Sequence, residues 1–359
     1  MIGKEYFSRE HIDQLRATYG GDPALHEKCI YAFTLLAYLT ETGLEFVFKG
    51  GTSLLLHIPT IKRLSIDIDV MSHADEAQLN KVVETIGNTP PFIRHEEDHR
   101  GARGLPMRRH FKFFFQSLIS QREDHVILDV VEESQCNLAT EEKEITVEFV
   151  ETDPIVRVNV LTVDALLGDK LTAFAPNTVG VPYVTQGGRS MTMQVVKQLF
   201  DVGVLFDVAH DMSAVRAAFD VSFELEKTYR DQDFSRDDVL HDIIQTGLGI
   251  CGFNLRGAPP FDNSPQIADG VSRLQNHLLS DPFKMEREVK IAAAKAVFLA
   301  SSLLNDQTFE FEIYTGSEEQ LEELRGAELS TIHSAYNRLK GILPEAFFYL
   351  YKSENNHAQ

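Results

Sequence analysis

EFVFKGGTSLLLHIPTIKRLSIDIDVM, residues 45–71, changes character three times. Glu45 to Lys49 is dense in aromatic and β-branched residues and predicts a short strand, Gly50-Gly51 turns the chain, and Thr52 to Ile58 has the composition of a helix start. Leu64 to Met71 then alternates strictly, placing Ser65, Asp67 and Asp69 on one face of a strand and Leu64, Ile66, Ile68 and Val70 on the other. The apolar face belongs to a core. A strand, a glycine turn, a helix start and a second strand in this order open a mixed sheet rather than a helical bundle.

On either side the pattern is different. Residues 9 to 43 carry Leu15, Tyr19, Leu25, Cys29, Phe33, Leu36 and Leu39 close to helical spacing, with a break at Gly20-Gly21. Downstream, strands are predicted at Phe111 to Gln116, Val126 to Val131, Ile145 to Val150 and Ile155 to Val160. From about Val163 the period becomes helical, through Ala165 to Phe174, Met191 to Ala209, Ala214 to Glu226, Val239 to Thr246, Ile267 to Leu279, Lys284 to Leu304 and Leu321 to Leu339. The expected class is α+β: an N-terminal helical segment (1–44), a mixed-sheet core (45–163) and a helical C-terminal domain (164–359).

The chain has 359 residues, enough for two cores. Against 34 Lys and Arg stand 54 Asp and Glu, a formal charge of -20, so most of the surface repels a phosphate backbone and any nucleic-acid contact has to be local. The 3 cysteines, Cys29, Cys136 and Cys251, are far apart and odd in number, which fits neither a disulfide framework nor a close-spaced zinc site. With no signal-like N-terminus and no long apolar run, a soluble cytoplasmic protein with no membrane partner is expected.

Two carboxylates at i and i+2 on one strand face repel each other unless a cation sits between them, and their hard oxygens suit Mg²⁺, which keeps waters and bridges to substrate phosphates. A bare Asp-x-Asp also lines many solvated sheet faces. The glycine turn upstream sharpens the reading, because backbone amides at a helix start cradle phosphate and glycine lets it come close. Asp129 interrupts the apolar run Val126-Ile-Leu-Asp-Val-Val131 and needs a partner: either a metal site shared with Asp67 and Asp69, or an arginine beside an edge strand. Between Arg94 and Lys112 the chain concentrates Arg94, His95, His99, Arg100, Arg103, Arg108, Arg109, His110 and Lys112. This basic segment could meet a polynucleotide, this protein's own acidic helices, or an acidic partner protein.

Lys49-Gly-Gly-Thr-Ser-Leu54 followed by Arg63-x-Ser65-x-Asp67-x-Asp69 resembles the AbiEii/AbiGii toxin family of nucleotidyltransferases, relatives of the polymerase-β-like superfamily. The similarity extends through Gly168-Asp-Lys-Leu171, Ala175-Pro-Asn-Thr178 and Lys197-Gln-Leu-Phe-Asp201, over about residues 45 to 210. The resemblance implies a nucleotidyltransferase core beside a helical domain, a nucleoside triphosphate substrate, an RNA acceptor such as the tRNA 3′ end, and a cognate antitoxin. On the matching positions it implies that Gly51, Thr52 and Ser53 line the triphosphate, that Ser65 assists phosphate positioning, that Asp67 and Asp69 hold Mg²⁺, that Lys170 contacts nucleotide phosphate, and that Asp201 completes the last motif. The glycine turn adds Gly50 to the nucleotide-binding positions, and Asp129 is a candidate third metal ligand from its own place in the chain. Two positions depart from the family: Lys197-Gln198 stands where Arg-Asp is common, and Ile66 replaces a residue that is often polar.

From spacing alone, Lys170 shares a helical line with Leu166 and Phe174, so its stem could equally lie along the core edge with the amine in water. Asp201 could pair with Lys197 at i−4, tie the helical domain to the core, or act as a base. Two rival functions share the motifs: a nucleotidyltransferase acting on protein, and a nucleotide-binding module without turnover, to which Gln198 would be suited.

Overall fold

A computed structural model describes residues 1–98, 108–132, 138–230, 232–279, 282–305 and 311–355. His99, Arg100, Arg103 and Cys136 lie outside the described residues. The chain forms two units, residues 1–162 with 276–282 and residues 163–275 with 283–359.

The first unit opens with α1 (Arg9–Tyr19), whose start is capped by Ser8 accepting from the His11 amide and whose end is Gly20 at φ 75°. Asp22 caps α2 (Pro23–Glu41) in the same way, and Pro23 sits in its first turn. From Cys29 to Leu39 every residue of α2 is buried. A helix apolar on all sides belongs inside a core, and α2 lies across the apolar face of the sheet.

The strands are β1 (Val47–Lys49), β2 (Asp67–Ser72), β3 (Arg94–Glu97), β4 (Arg108–Gln116), β5 (Glu123–Glu132) and β6 (Thr140–Glu144). A short hairpin, β7 (Thr146–Val147) and β8 (Val150–Glu151), follows, then β9 (Arg157–Leu161). A short helical turn, α3 (Gly50–Ser53), follows β1, and α4 (Glu76–Gly87) follows β2. Seven strands make one sheet in the order β3-β4-β5-β2-β1-β9-β6. The β2/β5 and β1/β9 pairs are parallel and the others antiparallel. Phe48, Ile68, Val70, Phe111, Phe113, Phe115, Val126, Leu128 and Val130 face α2 and α4 in a single core, where Tyr31 stacks on Phe115 with ring centroids 3.6 Å apart. Burying each such aromatic ring contributes about 2–3 kcal/mol.

The alternation read from the sequence holds from Asp67 to Val70, where Asp67 and Asp69 are half-buried and Ile68 and Val70 fully buried; Met71 and Ser72 are then buried in succession. The strand begins later than its pattern, however. Leu64 donates its amide to His277 O at 2.8 Å and Leu279 donates to Lys62 O at 2.9 Å, so residues 62–64 pair with the 277–279 segment instead of the sheet. Ile145 to Val150 forms the β7/β8 hairpin, not a strand of the main sheet.

The second unit is helical: α5 (Val163–Ala173), α6 (Thr192–Phe206), α7 (Met212–Arg230), α8 (Arg236–Cys251), α9 (Ser264–Leu274), α10 (Lys290–Leu304), α11 (Glu318–Gly326), α12 (Leu339–Ile342) and α13 (Pro344–Asn355). Every residue of α10 from Ala292 to Leu303 is buried, and α6, α8 and α13 pack around it. The mixed sheet and the helical unit make the protein α+β, as the sequence predicts. Among the described residues no helix is long and apolar enough to cross a membrane.

Candidate active site

The register of the sheet assembles a polar row. Lys49 on β1 pairs with Asp69 on β2, Asp69 with Asp129 on β5, and Asp129 with His110 on β4. In-register neighbours on adjacent strands share a face with their Cα atoms about 5 Å apart, and Asp67 joins the same face by the two-residue period. All five side chains are half-buried, and Lys49, Asp69, Asp129 and His110 each stand between buried neighbours. Positions scattered from 49 to 129 thus meet on the face of the sheet opposite to α2.

The glycine turn is shaped around this row. Gly50 has φ +79°, and a Cβ there would stand 2.0 Å from Asp69 Oδ2, so the carboxylate rests against bare backbone. A Cβ on Gly51 would meet Arg63 Nη2 at 2.5 Å and Ser65 Oγ at 3.0 Å. Thr52 and Ser53 are fully buried, with their hydroxyls donating to Asp67 O at 2.6 Å and Gly50 O at 2.9 Å. Ser65 is buried as well, its carbonyl accepting from the Cys29 thiol. The side chains of the Gly-Gly-Thr-Ser stretch therefore brace the turn onto β2, and the backbone is what it can offer to a substrate. Arg63, only 1% exposed, underlies the turn and donates to Leu64 O at 3.2 Å. Nearby, burial depresses His57 below its ordinary 6.5, against the pull of Glu141, whose Oε1 lies 3.5 Å from Nδ1.

Asp129 does not sit on an edge strand, and its partner is not an arginine. β5 runs between β4 and β2, and His110 Nδ1 approaches Asp129 Oδ1 at 2.6 Å. A carboxylate oxygen accepts from an imidazole N–H, so the contact is a hydrogen bond in the tautomer that carries its proton on Nδ1. Among the described residues no three His, Cys, Asp or Glu side chains are grouped so that they could hold a metal ion. Asp67 and Asp69 lie on one strand face, with Asp129 in register beside Asp69. Carboxylate oxygens suit a hard divalent cation, which one or two carboxylates can hold while water and substrate oxygens fill its other positions.

Lys170 and Asp201 belong to the helical unit and pair with each other: Lys170 Nζ lies 3.7 Å from Asp201 Oδ2 across α5 and α6 and donates to Gln198 Oε1 at 3.2 Å. Asp201 is fully buried and the lysine 6% exposed, so the amine is enclosed rather than snorkelling into water. Gln198, where the motif departs from the family, is one of the groups that hold it.

The described cations of the basic segment are largely neutralised within the sheet. Arg94 pairs with Glu96 and Glu123 and stacks over Phe114, and Lys112 meets Asp98 at 2.9 Å. Arg109, 8% exposed, donates twice to Glu97 at 2.8 Å and to Asn80 at 2.7 Å. Of the readings open for this segment, pairing with the protein's own acids holds for these three, although the acids lie on or next to the strands of the sheet and not on the C-terminal helices. Arg109→Met is expected to lower stability by about 2–3 kcal/mol, because it leaves a part-buried carboxylate uncompensated. Urea unfolding would show the loss, and unchanged unfolding would mean that the arginine is free to serve a ligand.

Sequence reasoning quoted Lys49 and Arg63 without giving them a role and counted His110 only as a basic residue. An arginine inside a run bound for the core was a legible signal. The His110–Asp129 contact depends on the register between strands, which spacing along the chain does not carry.

The family model for the nucleotidyl transferase AbiEii toxin of type IV toxin–antitoxin systems matches residues 35–288, from within α2 to beyond α9. Among solved structures, JHP933 from Helicobacter pylori is similar at 11% identity, with 78% of this chain and 93% of that chain covered and a TM-score of 0.40. An antigenic nucleotidyltransferase-like protein from Paracoccidioides brasiliensis is similar at 12% identity, with 57% and 93% covered and a TM-score of 0.36. The comparison with curated proteins finds no match. The family match spans most of the chain and takes in the glycine turn, the carboxylate row and the Lys170–Asp201 pair, and the chain belongs to the AbiEii nucleotidyl transferase toxin family.

Proposed function

We propose that this nucleotidyltransferase uses Mg²⁺ held by Asp67 and Asp69, with Asp129 beside them, to transfer a nucleotide from a nucleoside triphosphate to an RNA acceptor such as the tRNA 3′ end. The observation that carries the reading is the register that sets Asp69 beside Asp129 and against the bare backbone of Gly50. When bound, Mg²⁺ supplies charge neutralisation on the triphosphate. Asp67 and Asp69 would hold the cation, and the backbone amides of the Gly50-Gly51 turn would receive phosphate oxygens. Asp129 would accept the proton of the acceptor hydroxyl, and the hydroxyl oxygen would bond to the α-phosphorus while the bond to pyrophosphate breaks. Lys170 and Asp201 stay in the proposal as catalytic residues on the family's motifs, with Gln198 supporting the lysine. Capping the tRNA 3′ end would block aminoacylation and so arrest translation, the toxic outcome that a cognate antitoxin would restrain.

The test is incubation of the purified chain with each labelled nucleoside triphosphate, Mg²⁺ and total tRNA, beside an Asp67→Ala control. Label is expected in RNA and absent in the control. Label in protein alone would replace the RNA acceptor by a protein one, and bound nucleotide with no label anywhere would refute turnover.

A further inference from the structure

We propose that His110 is a positioning residue for this reaction, holding Asp129 in the orientation in which it serves the acceptor hydroxyl and the cation; the inference rests on the nucleotidyl-transfer reading of the carboxylate row. A carboxylate on a strand turns readily about its terminal torsion, whose energy wells are broad. Asp129 needs a fixed partner if one of its oxygens is to be presented reproducibly. His110 stands directly across from it on β4 and reaches Oδ1 at 2.6 Å.

The surroundings favour this partner. The contact is sheltered, with the His110 and Asp129 side chains 23% and 33% exposed, so solvent does not dissipate it as it would a surface pair. Lys112, the next cation along the same face of β4, is engaged by Asp98 at 2.9 Å. Asp129 stands between His110 and Asp69 in the row. With one oxygen held by the imidazole N–H, the other is left for the chemistry. His110 touches neither Asp67 nor Asp69 in register, so its action runs through Asp129. Partners that orient a ligating carboxylate typically change metal affinity or activity by about 10–100-fold when removed.

The test compares His110→Ala with His110→Asn, whose amide places a donor where Nδ1 stood, on the full chain. Three quantities are read: Mn²⁺ affinity by electron paramagnetic resonance without nucleotide, kcat and KM for the triphosphate, and the thermal midpoint. His110→Ala is expected to weaken Mn²⁺ binding and lower kcat, each by about tenfold or more, with KM within about twofold, and His110→Asn to restore most of both. Should His110→Ala fail to fold, His110→Gln, which keeps bulk but reaches past the Nδ1 position, replaces it in the comparison. Unchanged Mn²⁺ affinity and kcat in His110→Ala would overturn the proposal. So would equal losses in the alanine and asparagine variants that track a lowered thermal midpoint, the mark of a merely structural residue. An Asp67→Asn control separates the two layers: if it too leaves Mn²⁺ binding and transfer unchanged, the metal reading itself has failed.

Discussion

Asp69→Asn is expected to reduce nucleotidyl transfer by about 10³-fold or more while leaving the protein folded. The substitution preserves shape and removes only charge, so it asks what the charge does. A cation that neutralises a triphosphate contributes several kcal/mol to transition-state stabilisation, and each 1.4 kcal/mol is about a factor of ten in rate. Losing half of the Asp67–Asp69 ligand pair therefore removes most of the rate. Stability should change little. Asp69 is in register with Asp129 and shares a face with Asp67, and like charges on one face repel, but Lys49 stands in register on its other side and offsets part of that repulsion. The thermal midpoint of Asp69→Asn without Mg²⁺ should stay close to that of the parent, and the gain in midpoint on adding Mg²⁺ should shrink. Transfer within tenfold of the parent would sink the assignment of Asp69 to the cation.

The two signals that gave the fold away in the sequence were periods. Two-residue alternation placed Asp67 and Asp69 together and their apolar neighbours in the core, and helical spacing outlined the second unit. Both are statements about one chain segment against one buried surface, which is why they are legible locally. The misses follow from the same physics. β3 (RHEE) and β6 (TEEKE) carry few apolar residues because they are the edges of the sheet, where charge discourages pairing with another chain; a search for apolar density passes over them. α4 has an amphipathic pattern and an Asp75 cap, but it lies between the two most chemically suggestive stretches of sequence and carries no chemistry-bearing motif of its own. Residues 9 to 43 looked like a preface to the core, yet α2 is the helix on which the sheet is built, a fact carried by its all-round burial rather than by its position in the chain. At the site, the identity of each glycine and carboxylate could be read, whereas the braces could not. The inward hydroxyls of Thr52 and Ser53 and the hold of His110 on Asp129 depend on how separate segments come together in space, and for Arg63 the sequence signals its burial but not its place beneath the turn.

Gly50→Ala is expected to damage stability and activity together, which distinguishes the turn from the charges it supports. An L side chain in the left-handed region costs about 1–2 kcal/mol, and φ at Gly50 is +79°. The added methyl would also stand 2.0 Å from Asp69 Oδ2, a separation no real Cβ accepts, so either the carboxylate swings away or the turn opens. The turn has little freedom to open, because Thr52 ties it to Asp67 O and Arg63 and Ser65 underlie Gly51. A combined loss of about 3 kcal/mol follows, roughly 6–12 °C in thermal midpoint for a unit of this size. The two causes can be separated. In an Asp69→Gly background the methyl meets neither the carboxylate nor the Cβ that stands 2.8 Å away in the parent, and only the backbone cost of about 1–2 kcal/mol should remain. The double-mutant cycle should therefore return a coupling of about 1–2 kcal/mol between positions 50 and 69. Strictly additive costs would show that Gly50 is required for its backbone angle alone, and that the carboxylate of Asp69 does not depend on the missing side chain for its place in the row.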